Sequence, residues 1–392
     1  NAPAAVLVAM YAVVGQKQGV PNDKMQGTVQ NDVLKEYVAR GTYIYPPRPS
    51  LRLAADLMAY CAKELPRFNS ISISGYHIRD AGSTAVQEMA FTFANAIAYI
   101  DAALDRGLEI DSFAPRISWI FNTQNNFLEE AAKYRALRRM WAKVMRERYG
   151  AKDPRSWMFR THVQTGGATL TAQQPELNIV RATYQGLAAV LGGIQSLALA
   201  CYDEALALPT EEAQRIAVRT QQIIAYESGV TDSADPLAGS YYVEWLTNEL
   251  EKRAWEYLHR IEDMGGAVAA IESGFIQREI QEASWAYQRA VDEAKKTIVG
   301  VNRFQLEDEE PQMIFKVDPE TERAQIKKLQ AFKKQRDDAA VRAALKRLDE
   351  ACRERENLLY PIVEAVKVYA TLGEVCGVMR NVFGDYRAPT AV

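Results

Sequence analysis

The sequence predicts an α/β protein built on a parallel sheet and followed by a helical extension. Five strand patterns alternate with helical patterns over residues 1–228, which is typical of parallel strands joined by right-handed crossovers. One of them, strand 69–76, alternates isoleucine and serine with period two. Serines on one face would leave the lumen of a (β/α)8 barrel open and wettable, whereas an ordinary barrel is filled with Val, Ile and Leu. Five strands are three short of a closed barrel, so an open five-stranded sheet is the alternative.

The predicted elements follow in chain order from an apolar first helix over residues 1–15. The five strands are predicted at 27–30, 69–76, 114–119, 156–164 and 193–198. Helices are predicted between them, at 31–40 with Asn31-Asp32 as its cap, and at 50–64, 84–106, 126–149, from 172 onward and 209–226.

The second predicted region, residues 229–392, has helical patterns over 243–292 and 320–390 and no strand signal. A basic run at 327–334 lies among acidic residues there, and a solvated helical face explains it better than a binding site does. The predicted division is therefore a barrel portion at 1–228 that binds substrate, and a helical region at 229–392.

Composition excludes several classes of function. A net charge of -3 gives no nucleic-acid footprint, and no apolar run is long enough to span a membrane. The three histidines are too dispersed for a metal cluster. Four cysteines without disulfide or zinc spacing favour a reducing compartment, and with no signal peptide in view the expected location is the cytoplasm. The abrupt start at Asn1 suggests a chain that begins inside a domain.

Chemistry is expected where strand 69–76 ends. The strand breaks at Gly75 and places Tyr76 and His77 at the mouth of the predicted barrel, where barrel enzymes keep their catalytic groups. A lone histidine at a strand end is more often structural, and a buried tyrosine is equally ordinary.

Six blocks of sequence, in order along the chain, resemble the methylmalonyl-CoA mutase family of adenosylcobalamin enzymes. Six blocks in register over residues 1–383 are a far more specific signal than one short motif. The blocks are Gly27-Thr28-Val29-Gln30-Asn31-Asp32, Tyr43-Ile44-Tyr45-Pro46-Pro47, Phe68 through His77, Phe113-Ala114-Pro115-Arg116, Arg160-Thr161-His162-Val163-Gln164-Thr165, and Asp235-Pro236-Leu237-Ala238-Gly239-Ser240-Tyr241-Tyr242.

The resemblance implies a (β/α)8 barrel with the coenzyme A arm along its axis, in which this chain begins at the end of the third strand. The Asp-x-His-x-x-Gly loop of the family's cobalamin domain is absent, since His259 is followed by Arg260-Ile261-Glu262. The resemblance is thus to a large subunit that binds adenosylcobalamin together with a separate small cobalamin-binding subunit. A hetero-oligomer is implied, and a G-protein chaperone is a further partner of such enzymes.

The resemblance also assigns roles to residues of this chain. His77 would hydrogen-bond the thioester carbonyl, and Tyr76 would pack between corrin and substrate. Arg40 would grip the free carboxylate of a dicarboxylic acyl group, with an arginine at a helix C-terminus as the alternative. Further substrate contacts are implied for Gln30, Thr28, Arg116 and Ser118, and contacts on the cobalamin side for His162, Gln164 and Gln195. A satisfied polar group in a packed barrel is the alternative for most of these.

The implied activity is a radical carbon-skeleton isomerisation, most simply the interconversion of (R)-methylmalonyl-CoA and succinyl-CoA. Isobutyryl-CoA, 2-hydroxyisobutyryl-CoA and ethylmalonyl-CoA are the alternative substrates, and relatives acting on the first two typically carry glutamine in place of Arg40. Two departures bear on this choice: Ala198-Leu199-Ala200 stands where the family has His-Thr-Asn, and Ala168 replaces a common tryptophan. A non-catalytic partner subunit that keeps the fold is the alternative of another class.

Overall fold

The computed structural model describes residues 1–307 and 315–389 and has an α/β architecture. The strands are β1 (Gly27–Thr28), β2 (Phe68–Asn69), β3 (Ser72–Ser74), β4 (Ser118–Thr123), β5 (Thr161–Thr165) and β6 (Ser196–Ala198). The helices of the first 228 residues are α1 (Ala4–Lys17), α2 (Pro47–Glu64), α3 (Tyr76–Asp80), α4 (Ala85–Asp105), α5 (Ile110–Phe113), α6 (Phe127–Lys143), α7 (Pro154–Trp157), α8 (Leu177–Leu191) and α9 (Glu211–Tyr226). The later helices are α10 (Tyr241–Asp263), α11 (Ala267–Glu272), α12 (Phe275–Asp292), α13 (Pro319–Gln335), α14 (Asp338–Arg353), α15 (Leu359–Lys367) and α16 (Leu372–Phe383).

Every strand pair in the described ranges is parallel, which confirms the predicted sheet type. β3, β4, β5 and β6 form one sheet in chain order, and β1 pairs with β2. The Ser72 N–H donates to the Gln30 carbonyl at 2.8 Å, so the β1 edge continues alongside β3. Closure into an eight-stranded barrel stays a prediction.

Strand 69–76 was predicted as one element, and this is wrong in two respects. The structure divides it into β2 and β3, and it ends at Ser74. Gly75 already has helical backbone angles, with φ −81° and ψ −27°, and α3 begins at Tyr76. Tyr76 and His77 therefore lie in the first turn of a short helix that follows the strand.

Three predicted strands begin later than expected because turn-forming residues precede them. Pro115 has a fixed φ and no N–H, and residues 114–116 form a 3₁₀ turn before β4. Pro154 opens α7, so β5 starts only at Thr161. Gly193 has φ +78°, and β6 starts three residues after it. Arg116 consequently lies just outside its strand.

The predicted cap of helix 31–40 is correct only for Asp32. Its carboxylate accepts the backbone N–H of Lys35. Asn31 instead has φ +51°, and its side-chain amide donates to the carbonyls of Ala54 and Ser70 at 3.2 Å. This helical segment ends with a π-helical turn, Glu36–Arg40.

The main core lies between one face of the sheet and helices α4, α6 and α10. Ile73, Trp119 and Val163 from successive strands are at most 1% exposed. Trp119 stacks on Phe93 of α4 at 5.3 Å between ring centroids and meets Trp141 of α6 edge-on at 4.9 Å. Burial of these large rings is the dominant stabilising term for the sheet.

A second core joins the two ends of the chain. The apolar helix α1, which the sequence predicted, packs against α15 and α16, and α14 completes the cluster.

α13 has no buried residue, which agrees with the predicted solvated face for the basic run. Within the described ranges, every helix is too short or too polar to cross a bilayer. The division at residues 228 and 229 stays a prediction.

Candidate active site

The sheet residues that alternate with those of the main core form a second face, which we call the open face. Because paired residues in a parallel sheet point to the same side, the register identifies its members. They alternate with the core residues named above and are mostly polar and half-buried. The open face consists of Ser72, Ser74, Ser118, Ile120, Asn122, His162, Gln164, Ser196 and Ala198. The alternation of core and open-face residues, first seen in the serines of one strand, therefore extends across four strands.

His77 lies at the edge of the open face formed by the C-terminal ends of the strands. Its Nδ1 is 2.7 Å from the Ser74 hydroxyl, because the backbone turns helical at Gly75 and His77 lies three residues after Ser74. The Tyr76 ring meets the imidazole edge-on, with 5.3 Å between centroids. Burial, together with the positive charges of Lys35 and Arg40, lowers the pKa of His77 to about 3. The imidazole is therefore neutral at physiological pH.

Lys35 is a site residue that the sequence reading did not identify. Its side chain is fully buried, and Nζ donates to Gln30 Oε1 at 2.8 Å and lies 3.0 Å from His77 Nδ1. Burial lowers its pKa, while the negative charges of Asp32 and Glu36 oppose this shift. The sequence offers little signal for this, because Lys35 is followed directly by Glu36, and a lysine is almost never fully buried without a partner.

Tyr76 precedes His77 at the edge formed by the C-terminal ends of the strands, and it is 8% exposed. Its hydroxyl accepts the Gly167 N–H at 3.4 Å. Burial raises the pKa of Tyr76, and the negative charges of Asp80 and Glu204 raise it further, so the side chain stays a neutral phenol. Burial also raises the pKa of both carboxyls. Asp80 and Glu204 are further residues that sequence reasoning missed, because their proximity depends on loops that only the fold brings together.

Arg40 and Thr28 are the exposed members of the predicted substrate set. Arg40 ends the π-helical turn that follows Lys35, close enough for its charge to lower the pKa of His77. Its guanidinium makes no hydrogen bond or ion pair with any residue of the described ranges. The Thr28 hydroxyl accepts the Asn69 amide at 2.9 Å, between β1 and β2.

Arg116, Ser118 and Gln195 lie at the opposite edge, formed by the N-terminal ends of the strands. Ser118 begins β4 and donates to the Ile71 carbonyl at 3.2 Å. Gln195 precedes β6, and its Oε1 accepts the Thr161 N–H at 2.6 Å. Five residue steps along β4 separate the two edges by about 16 Å, at ~3.3 Å per residue.

His162 and Gln164 lie on β5 between these two edges, on the open face. His162 Nδ1 is 2.8 Å from the Ser196 hydroxyl, and burial lowers its pKa. The Gln164 amide has no hydrogen-bond partner in the part of the chain that the structure describes. The structure thus brings Gln30, Tyr76 and His77 together at one edge and leaves Arg116, Ser118 and Gln195 at the other.

Comparison with known proteins agrees with the motif resemblance. The family model for methylmalonyl-CoA mutase matches residues 1–385. Methylmalonyl-CoA mutase of Rhizobium meliloti (strain 1021) is 48% identical over 99% of this chain and 55% of the relative. The 2-hydroxyisobutanoyl-CoA mutase large subunit of Aquincola tertiaricarbonis is 46% identical over 99% of this chain and 69% of the relative. Methylmalonyl-CoA mutase large subunit of Streptomyces virginiae is 42% identical over 98% of this chain and 54% of the relative.

These matches cover nearly all of the present sequence, although the chain spans only about half the length of the methylmalonyl-CoA mutases it matches. A family model that covers almost the whole chain, and relatives at these identities, leave no competing assignment. The chain belongs to the methylmalonyl-CoA mutase family.

Proposed function

We propose that this chain is the substrate-binding part of an adenosylcobalamin-dependent acyl-CoA mutase that interconverts methylmalonyl-CoA and succinyl-CoA. The observation that carries the proposal is the open face, a polar surface with Gln30, Tyr76 and His77 at one edge. Polar groups at the second edge, about 16 Å away at ~3.3 Å per residue of β4, suit a long extended ligand.

His77 would act on the acyl group. A neutral imidazole donates a hydrogen bond to the thioester carbonyl and stabilises the charge that develops on its oxygen. The Ser74 hydroxyl at 2.7 Å fixes the ring orientation, and the Gln30 amide is held beside it by Lys35. Tyr76, packed edge-on against the imidazole, helps to exclude water from this end of the site.

Arg116 and Ser118 would bind the coenzyme A arm at the opposite edge. Arg116 is only half-buried. Burial lowers the pKa of the neighbouring Arg160 and the charge of Arg116 lowers it further, so two guanidinium groups lie close together there. Such a pair suits the phosphate groups of coenzyme A, which a guanidinium binds through two parallel hydrogen bonds.

The open face also fits adenosylcobalamin. His162 and the unpartnered Gln164 amide offer neutral hydrogen-bonding groups, which match the amide side chains around a corrin ring. Gln195, whose side chain is engaged by the Thr161 N–H at the far edge, is the weakest of the three assignments. When bound, this cofactor supplies the radical chemistry that the protein side chains cannot.

Because two relatives are named large subunits, we propose a separate cobalamin-binding subunit as the partner.

Arg40 would select the substrate. An exposed guanidinium without a partner in the described ranges, next to the His77 edge, is available for the free carboxylate of methylmalonyl-CoA or succinyl-CoA. An uncharged acyl group would leave that positive charge uncompensated in a closed site.

The test is an assay of the complete enzyme, with its cobalamin-binding subunit and adenosylcobalamin, on methylmalonyl-CoA and isobutyryl-CoA. We expect the wild type to prefer the dicarboxylic substrate, and Arg40→Gln to lose that preference by about tenfold or more, the effect of a lost charged hydrogen bond. Faster turnover of isobutyryl-CoA or 2-hydroxyisobutyryl-CoA by the wild type would replace this substrate assignment. No turnover of any of these substrates would favour the non-catalytic subunit.

A further inference from the structure

The position of Lys35 relative to His77 is unusual. Its Nζ is 3.0 Å from Nδ1 and 3.5 Å from Nε2 of the same imidazole. An ammonium bonded in the ring plane to the Nδ1 lone pair would lie much farther from Nε2, because that lone pair points away from the rest of the ring. Nearly equal distances therefore place the ammonium over the face of the ring. The in-plane neighbour of Nδ1 is the Ser74 hydroxyl at 2.7 Å.

Burial lowers the pKa of Lys35, and the groups around its ammonium oppose this shift. Glu36 Oε1 is 3.5 Å from Nζ, and Gln30 Oε1 accepts from it at 2.8 Å. The buried carboxylate of Asp32 adds a second negative charge nearby. Each acceptor and each anion favours the ammonium over the neutral amine.

Asp32 is in turn arranged as a carboxylate. Its Oδ2 accepts the Ser74 N–H and its Oδ1 accepts the Tyr99 hydroxyl, both at 2.7 Å. Tyr99 also accepts the Leu34 N–H at 2.7 Å, so its own proton is directed at Asp32. Burial raises the pKa of Asp32, and these donors and the Lys35 charge oppose that rise.

Resting on the proposed function, we propose that Lys35 is a positioning residue whose ammonium, fixed over the face of the His77 ring, makes His77 a neutral hydrogen-bond donor rather than an imidazolium acid. A second positive charge on the ring would lie 3.0 Å from the first. A neutral imidazole over which a cation is placed is, by contrast, an attractive arrangement.

This assignment sets what His77 does to the substrate. In the tautomer that accepts the Ser74 hydroxyl at Nδ1, the proton resides on Nε2, and Nε2–H can polarise a carbonyl without giving up its proton. Neutral imidazole is a known electrophile in enzymes that polarise carbonyls. No proton is transferred, so the His77 ring begins and ends each turnover in the same state.

The other charged groups near His77 either oppose protonation of its ring, as Lys35 does, or lie beside the Lys35 ammonium. Arg40 also opposes protonation of the ring. Asp32 and Glu36 lie on the Lys35 side, and Tyr76, the remaining titratable neighbour, is a buried phenol. Lys35 is the charged side chain in contact with the imidazole, so it is the residue to change.

The experiment is a titration of the ring nitrogens by NMR, on the chain labelled with ¹⁵N-histidine and without substrate or cofactor. Single replacements of His77, His162 and His259 assign the three histidines of the sequence. The titration runs from pH 8 down to the lowest pH at which the chain stays folded, and we expect His77 of the wild type to stay neutral at least down to pH 5. Lys35→Met, which keeps the length of the side chain and removes its charge, should raise the midpoint of His77 by about one unit or more. Lys35→Arg, which keeps the charge, should leave His77 neutral throughout that range.

Two results would overturn the inference: protonation of wild-type His77 above pH 6, or an unchanged midpoint in folded Lys35→Met. Circular dichroism establishes folding, and Lys35→Gln gives the same comparison if Lys35→Met does not fold. The titration requires no mutase activity. An inactive enzyme with a neutral His77 would therefore count against the proposed function alone, and an active enzyme with a protonated His77 would count against the role of Lys35 alone.

Discussion

At the residue scale, the site consists of an uncharged imidazole supported by buried charges. His77 and Tyr76 could be predicted because they follow a recognisable strand and a glycine. Lys35 and Asp32 could not, since their roles depend on contacts with β3, α3 and α4 across more than 40 positions of sequence. A sequence shows which residue types are present, whereas burial and pairing decide which of them acquire an unusual protonation state.

The depressed pKa of His77 predicts a specific pH dependence of stability. Below pH 6.5, its ordinary pKa, the imidazole of His77 binds a proton in the unfolded state, whereas in the folded state it stays neutral down to about pH 3. His77 therefore favours folding above pH 6.5, and this contribution is lost as the pH falls. Between pH 7.5 and pH 4.5, His77→Gln should gain about 2–3 kcal/mol of stability relative to the wild type, at ~1.4 kcal/mol for each pH unit below 6.5. Urea unfolding of both proteins at several pH values measures this, and a difference independent of pH would contradict it.

At the scale of elements, the strand–helix alternation and the period-two pattern correctly predicted a parallel sheet with one apolar and one polar face. The predicted boundaries were wrong where Gly75, Pro115 and Gly193 start turns inside an apparently continuous strand pattern. The alternation of apolar and polar residues indicates which face a side chain occupies. It does not show where the backbone leaves the strand, because the same alternation continues into the turn. Candidate residues were consequently placed in the right region with the wrong local structure.

Gly75 connects β3 to α3 and so positions Tyr76 and His77. A Cβ at this residue would lie 2.8 Å from Phe121 and from the Thr92 hydroxyl, which is closer than packed atoms tolerate. Gly75→Ala should lower the free energy of unfolding by about 1–3 kcal/mol, as overpacking of a core does. Gly373→Ala is the matched control, because a Cβ there meets nothing within 4 Å inside α16. Equal stabilities of the two variants in urea would contradict the packing argument.

At the scale of the whole molecule, one face of the sheet is buried under helices and the other carries the candidate site. Residues of the open face such as Ser72, Ser118 and Gln164 are only half-buried by this chain. The relatives that the chain matches extend well beyond it, and two of them are named as large subunits. The candidate site is therefore a surface that other protein segments and ligands can complete.

Cobalamin binding should consequently depend on a partner. The sequence lacks the Asp-x-His-x-x-Gly motif whose histidine is the lower cobalt ligand in the family, so we expect this chain to supply contacts to the corrin edge. We expect weak binding of adenosylcobalamin by the chain alone and tight binding after addition of a cobalamin-binding subunit. Absorption spectroscopy and equilibrium dialysis measure both. Tight binding by the chain alone would contradict the prediction.

The most direct test of the account is the turnover number of His77→Ala in the complete enzyme with methylmalonyl-CoA. A hydrogen bond that strengthens as charge develops on the carbonyl acts mainly in the transition state, so its loss lowers kcat more than it raises KM. We predict a decrease in kcat on the order of 10²–10³ with little change in KM. A kcat equal to that of the wild type would contradict the role of His77, and with it the assignment of the open face as the active site.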